Sequence, residues 1–169
     1  MKTFGSNRGA SRRDRIHVGI SAYEVVADGE TLVVYGVGAC VAISLYDPES
    51  GVAGLAHTLL ARQEDGHDSA PGKFVDTAIQ TMLREMVEAG ASYGTVEAKL
   101  VGGADIFELP DLSKGVGEQN VTTARAELDR LDVPVVAEAV GGDEGRAVEF
   151  DTETGVLELS TVHGRSETL

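Results

Sequence analysis

Apolar residues recur every three or four positions in one stretch of the chain, at Val75, Ala78, Ile79, Met82, Leu83, Met86 and Val87, with Asp76, Gln80, Arg84, Glu85 and Glu88 opposite. That spacing predicts an amphipathic helix, and Gly90 is its stop. Its methionines read as core filling rather than as a cofactor box. A second stripe, Val121, Ala124, Leu128 and Leu131, predicts a helix over about 120–132 that ends before Pro134. Elsewhere, short runs rich in β-branched and aromatic residues predict strands near 18–26, 32–37, 41–46, 52–57, 95–101, 135–140, 147–150 and 156–162. Asp47-Pro48-Glu49-Ser50-Gly51 marks a turn between the third and fourth of these, and Asp151-Thr152-Glu153-Thr154-Gly155 a hairpin loop between the last two. Two amphipathic helices laid on largely antiparallel sheets make an α+β fold, a layered α/β sandwich. The polar stretch 62–72, with Gly66, Pro71 and Gly72, reads as a loop within one domain, and the chain has no internal repeat.

Charge divides the chain unevenly. Lys2, Arg8, Arg12, Arg13 and Arg15 against Asp14 give residues 1–15 a net of +4, while the chain as a whole carries −14, which leaves −18 on the remainder. The expectation is a disordered basic tail over 1–15 and a single folded domain over 16–169. Four arginines in the tail without interleaved aromatics, on an acidic body, argue against nucleic acid as a partner. A body this acidic is tolerable where salt screens it, because the Debye length shrinks to about 3 Å at 1 M, so a salt-loving source is expected. One cysteine in 169 residues excludes an internal disulfide framework. No run approaches the roughly 18 apolar residues of a membrane span, and Arg12-Arg13 lacks the apolar stretch of an export signal, so the protein is expected in the cytoplasm, without membrane insertion.

The candidate chemistry centres on that cysteine. Cys40 closes Gly36-Val37-Gly38-Ala39-Cys40, and His57 follows on the next expected strand. In an antiparallel pair an even-numbered loop puts the two side chains on one face, opposite or a diagonal step apart; an odd-numbered loop puts them on opposite faces. If they meet, His57 is the base and the Cys40 thiolate the nucleophile, expected to titrate below an ordinary thiol and to lie in a groove open to solvent. Gly36 and Gly38 are candidates for a substrate-facing loop free to adopt positive φ, with the amides of Ala39 and Cys40 as candidate oxyanion donors. His17, His67 and His163 suggest no metal site, and Gly102-Gly103 lacks the spacing of either nucleotide fingerprint.

Several motifs in order resemble one family. Gly36-Val37-Gly38-Ala39-Cys40-Val41-Ala42, Leu45-Tyr46-Asp47-Pro48 and Gly54-Leu55-Ala56-His57 are similar to the CheD family of chemoreceptor glutamine deamidases. The likeness continues through Lys73-Phe74-Val75-Asp76-Thr77-Ala78-Ile79, Lys99-Leu100-Val101-Gly102-Gly103-Ala104-Asp105-Ile106-Phe107, Gly117-Glu118-Gln119-Asn120, Gly141-Gly142-Asp143-Glu144-Gly145-Arg146 and Thr154-Gly155. It extends from about Val18 to about Val162. The resemblance implies a catalytic Cys40 and His57, methyl-accepting chemoreceptors as substrate, a CheC-type phosphatase as partner, and no metal or cofactor. Two positions depart from the family pattern. Ala39 stands where the family has Ser, a swap without consequence if a backbone N–H acts there. Val34 stands where it has a catalytic Thr, so the hydroxyl that would serve the imidazole is missing. Alternatives are therefore a catalytically weak adaptor that binds CheC or receptors, and a receptor methyl-ester hydrolase using the same acyl-enzyme.

Overall fold

In the computed structural model, residues 14–62, 70–105 and 115–169 are described. Ten strands form two five-stranded sheets. One runs β1 (Arg15–His17), β3 (Thr31–Val37), β8 (Arg146–Asp151), β9 (Val156–Thr161) and β10 (Ser166–Thr168). The other runs β2 (Tyr23–Val26), β5 (Ala53–Thr58), β4 (Val41–Tyr46), β6 (Glu97–Gly102) and β7 (Val135–Val140). Among the described strands only β1 with β3 and β6 with β7 pair in parallel, so the sheets are largely antiparallel as expected. Two helices, α1 (Val75–Glu88) and α2 (Val116–Arg130), cover the outer face of the second sheet.

Strand β4 shows why the sandwich has three layers. Alternation sends Val41, Ile43 and Leu45 toward α1, where Val75, Ile79, Met82 and Met86 meet them. Ala42 and Tyr46 point the other way, into the layer between sheets with Leu32, Val34, Leu55 and Phe150. All six residues of β4 are buried, as a central strand with both faces covered must be. Each large aliphatic side chain removed from water here contributes about 1.5–3 kcal/mol.

The turn after β4 hangs on Asp47, which is fully buried. Burial works against its charge, but donors from Ser50, Thr95, Ser92 and Glu49 outweigh it and hold the carboxyl at about 2. The loop between the paired ends Tyr46 and Ala53 spans 47–52, an even number, and this sets the register that matters below.

Four details differ from the sequence expectation. Of the strand expected at 18–26 only β2 (Tyr23–Val26) forms, while β1 lies just before that stretch and in the other sheet. The chain crosses between them at Gly19–Ala22, where Ser21 adopts φ 65°. Helix α2 begins at Val116 rather than near 120, because its first turn, Gly117-Glu118-Gln119, carries no apolar stripe to read. Strand β10 is exposed throughout and has no apolar alternation. The basic tail expected over 1–15 falls outside the described residues up to 13, whereas Arg15 opens β1 and forms an ion pair with Glu149.

Candidate active site

The β4–β5 ladder places Ala42 opposite His57 and Val41 opposite Thr58. Cys40 lies just before β4 and two positions before Ala42, so continuing the alternation of β4 by one residue would carry it to the face of Ala42 and His57, one diagonal step away. For such neighbours the separation is about 7–8 Å along the backbone and less between side chains. By the alternation of β5, His57 shares with Ala53 and Leu55 the face toward the other sheet, opposite Ala42. The crossing at Gly19–Ala22 seals this end of β5: the Ser21 N–H donates to the His57 carbonyl, and the His57 N–H donates to that of Ala22.

The turn before Cys40 has its carbonyls fixed and its amides spare. Gly38 O accepts from the Ala104 N–H, Ala39 O from the Asn120 amide, and Cys40 O from the Gly103 N–H. Neither the Ala39 nor the Cys40 N–H donates to an oxygen among the described residues. The Cys40 N–H favours the thiolate, though less than burial opposes it. Gly36 is exposed at φ 70°; Gly38 is buried and is not in the positive-φ region, so only the first has the freedom the sequence suggested for both. Gly102 and Gly103 explain the close fit on the far side. A Cβ on Gly102 would sit 2.3 Å from the Cys40 carbonyl oxygen, and one on Gly103 would sit 2.3 Å from Val121 Cγ2.

The pair is enclosed rather than set in an open groove: Cys40 is 8% exposed and His57 3%. Neither ring nitrogen of His57 has a hydrogen-bond partner among the described residues, so the imidazole is not bonded to the Cys40 thiol in this conformation. A cleft of about 1030 Å³ is lined by Leu60, Lys73, Phe74, Gln119 and Thr123. No three His, Cys, Asp or Glu side chains gather as a metal site among the described residues.

Burial decides the protonation states. It pushes the Cys40 thiol up, opposite to the depressed value expected from sequence. It pushes the His57 imidazole down, with help from the charge of nearby His17. At neutral pH Cys40 is thus a thiol and His57 a neutral imidazole. The consequence is measurable. Alkylation of Cys40 near pH 7 should be slower than that of free cysteine and slower still in His57→Ala. Because the thiol's folded value is raised, its contribution to stability is present below its ordinary 9.0 and lost as pH rises beyond. The lowered imidazole contributes above its ordinary 6.5 and loses that contribution as pH falls. A melting-temperature plateau between these limits, with its alkaline edge softened in Cys40→Ala, is the expected profile.

Val34 is fully buried in the layer that His57 enters. It brings no hydroxyl to a ring whose nitrogens both lack partners. The residue that sequence reading passed over is Asn120, noted only as part of a motif. Its Nδ2 donates to Ala39 O at 3.0 Å and Leu59 O at 3.1 Å, tying α2 to the chain on either side of the pair.

A family model described as CheD chemotactic sensory transduction matches residues 58–161. A probable chemoreceptor glutamine deamidase CheD 2 of Geobacter metallireducens is 46% identical over 84% of this chain and 90% of its own length. This chain belongs to the CheD family. A probable chemoreceptor glutamine deamidase CheD of Haloarcula marismortui is 38% identical over 94% of this chain and 92% of its own. Among solved structures, the Bacillus licheniformis hypothetical protein YfiH has a TM-score of 0.45 at 15% identity, covering 69% of this chain and 49% of that one. The CheD family match begins one residue after His57, so the case for Cys40 and His57 rests on the β4–β5 register and the turn described above.

Proposed function

We propose that this CheD-family protein is a cysteine-dependent protein-glutamine deamidase that converts chemoreceptor glutamines to glutamates. The observation that supports the reading is the β4–β5 register, which sets Ala42 opposite His57 two residues after Cys40, beside a turn whose Ala39 and Cys40 amides donate to no oxygen among the described residues. The neutral imidazole takes the proton of the Cys40 Sγ–H as the sulfur attacks the carboxamide carbon. The Ala39 and Cys40 amides receive the developing oxyanion, with the exposed Gly36 admitting the substrate backbone. The C–N bond then breaks, the imidazolium protonates the leaving nitrogen, and ammonia departs to leave a thioester on Cys40. Water activated by His57 cleaves the C–S bond, releasing glutamate and restoring the thiol. No step requires a metal or cofactor.

Lowering the imidazole value serves this chemistry, since it keeps His57 in its basic form at pH 7. A raised thiol value argues for proton transfer during attack rather than for a standing thiolate. Each new glutamate adds a charge on a receptor helix and biases its packing against neighbours. The protein acts in the cytoplasm, with a CheC-type phosphatase as regulatory partner. No helix among the described residues is long and apolar enough to cross a membrane. Incubation with a receptor cytoplasmic fragment should give a gain of about one dalton per site and an equivalent of ammonia. Methanol in place of ammonia would identify an ester hydrolase, and neither product would identify an adaptor.

The adaptor reading has one observation in its favour, the missing hydroxyl at Val34. Val34→Thr should therefore raise deamidation about tenfold, equivalent to about 1.4 kcal/mol of barrier. Turnover that is substantial in the parent and no faster in the variant would mean that another group serves the imidazole. The acidic surface points to a salt-rich cytoplasm. The melting temperature should climb along a sodium chloride series as screening relieves repulsion; a flat response would mark an ordinary acidic protein.

A further inference from the structure

We propose that Asn120 is a positioning residue for Cys40 and His57, a role that rests on reading those two as nucleophile and base. The last rung of the β4–β5 ladder joins Val41 and Thr58, and beyond it Cys40 and Leu59 share no backbone hydrogen bond. The Asn120 amide supplies the missing rung. One nitrogen with two N–H groups spans two carbonyls, that of Ala39 just before the nucleophile and that of Leu59 two residues past the base. The clamp closes where the two strands would otherwise splay, and so sets how far Cys40 stands from His57.

Two further features fit a clamp rather than simple filling. Asn120 is fully buried, yet its Oδ1 has no partner, a cost that an apolar side chain at the same place would avoid. Helix α2 is also brought unusually near. A Cβ on Gly117 would lie 2.6 Å from the Gly103 carbonyl oxygen, so only glycine lets the helix reach this depth, and Asn120 sits one turn further on. The same helix presents Glu118, Gln119, Thr122 and Thr123 to the cleft, while Asn120 faces the Cys40 turn.

The test is a double-mutant cycle read by iodoacetamide alkylation of Cys40 at about pH 7.5. His57→Ala slows alkylation in the parent chain. In a folded Asn120→Ala background that effect is expected to shrink at least about fivefold, because the ring no longer stands at a fixed distance from the thiol. With a receptor fragment as substrate, Asn120→Ala should lose about tenfold in kcat with KM nearly unchanged. Asn120→Asp, isosteric but a donor only when protonated, should recover part of that loss as pH falls from about 8 to about 6. An undiminished His57 effect in folded Asn120→Ala overturns the proposal. If the Ala variant does not fold, Asn120→Asp is read in the same cycle, and failure of both to fold assigns Asn120 to the fold alone and overturns the role. A parent chain whose alkylation depends on His57 but that releases no ammonia overturns the deamidase reading and leaves the clamp standing. A parent chain indifferent to His57→Ala overturns both.

Discussion

Cys40→Ala is expected to abolish ammonia release from receptor fragments, and His57→Ala to lower kcat by about a thousandfold or more. The two losses have separate origins. Without the sulfur no acyl-enzyme forms, and the only residual rate comes from the spare amides and binding. Without the imidazole the thiol remains, but burial holds it protonated at neutral pH, so attack depends on a rare ionised form. His57→Ala should consequently regain activity as pH rises past the ordinary thiol range, whereas Cys40→Ala should not. Combining the two changes should cost little more than Cys40→Ala alone, as groups that act as one unit do. Both variants should fold, since the His57 ring nitrogens make no hydrogen bond that the structure would miss and Cys40→Ala removes a single buried atom.

Gly102→Ala should be among the most destabilising single substitutions in the chain, by about 3–5 kcal/mol, or a fall of about 10 °C in melting temperature. Gly102 has φ 121°, so a side chain there is strained before it touches anything. The added methyl would also stand 2.3 Å from the Cys40 carbonyl oxygen and 2.6 Å from Val37 Cγ1. Relief requires moving β6 away from the Cys40 turn, and with it the Gly103 and Ala104 amides that hold that turn. Any Gly102→Ala protein that folds should therefore have lost activity out of proportion to its stability. Gly90→Ala is the matched comparison. Its φ is 110° but nothing lies within 4 Å of the new Cβ, so the strain alone is measured there. A thermal melt in which both variants fall equally would show that the close contact contributes nothing.

The sequence carried the helices and most strands because their periodicity answers directly to burial. Helix α1 alternates apolar and charged at helical spacing along its whole length and was legible from end to end. The start of α2 was not, because what holds its first turn is the contact of Gly117 with Gly103, a relation between residues far apart in the chain. The break between β1 and β2 was hidden in the same way: Val18-Gly19-Ile20 reads as continuous strand, and only the separation into two sheets forces a crossing. In the site, Cys40 and His57 could be picked out by residue type, while whether the register lets them share a face depended on the parity of one loop. That parity became countable once the paired ends Tyr46 and Ala53 were fixed. The expected open groove and depressed thiol failed for one physical reason. Strand residues at this junction lie under a second sheet, and burial outweighs any help from the imidazole. Asn120 escaped notice because an asparagine on a helix is ordinary until the two carbonyls it joins are seen.

The claim that catalysis runs through Cys40 is tested most directly by trapping the intermediate. Parent protein mixed with a glutamine-containing receptor peptide in a single turnover, quenched in acid and weighed intact, should show a species heavier by the peptide less one ammonia. Digestion should place that mass on the peptide containing Cys40, and hydroxylamine should remove it. Deamidation that proceeds with no such adduct, and at an undiminished rate in Cys40→Ala, would contradict the account.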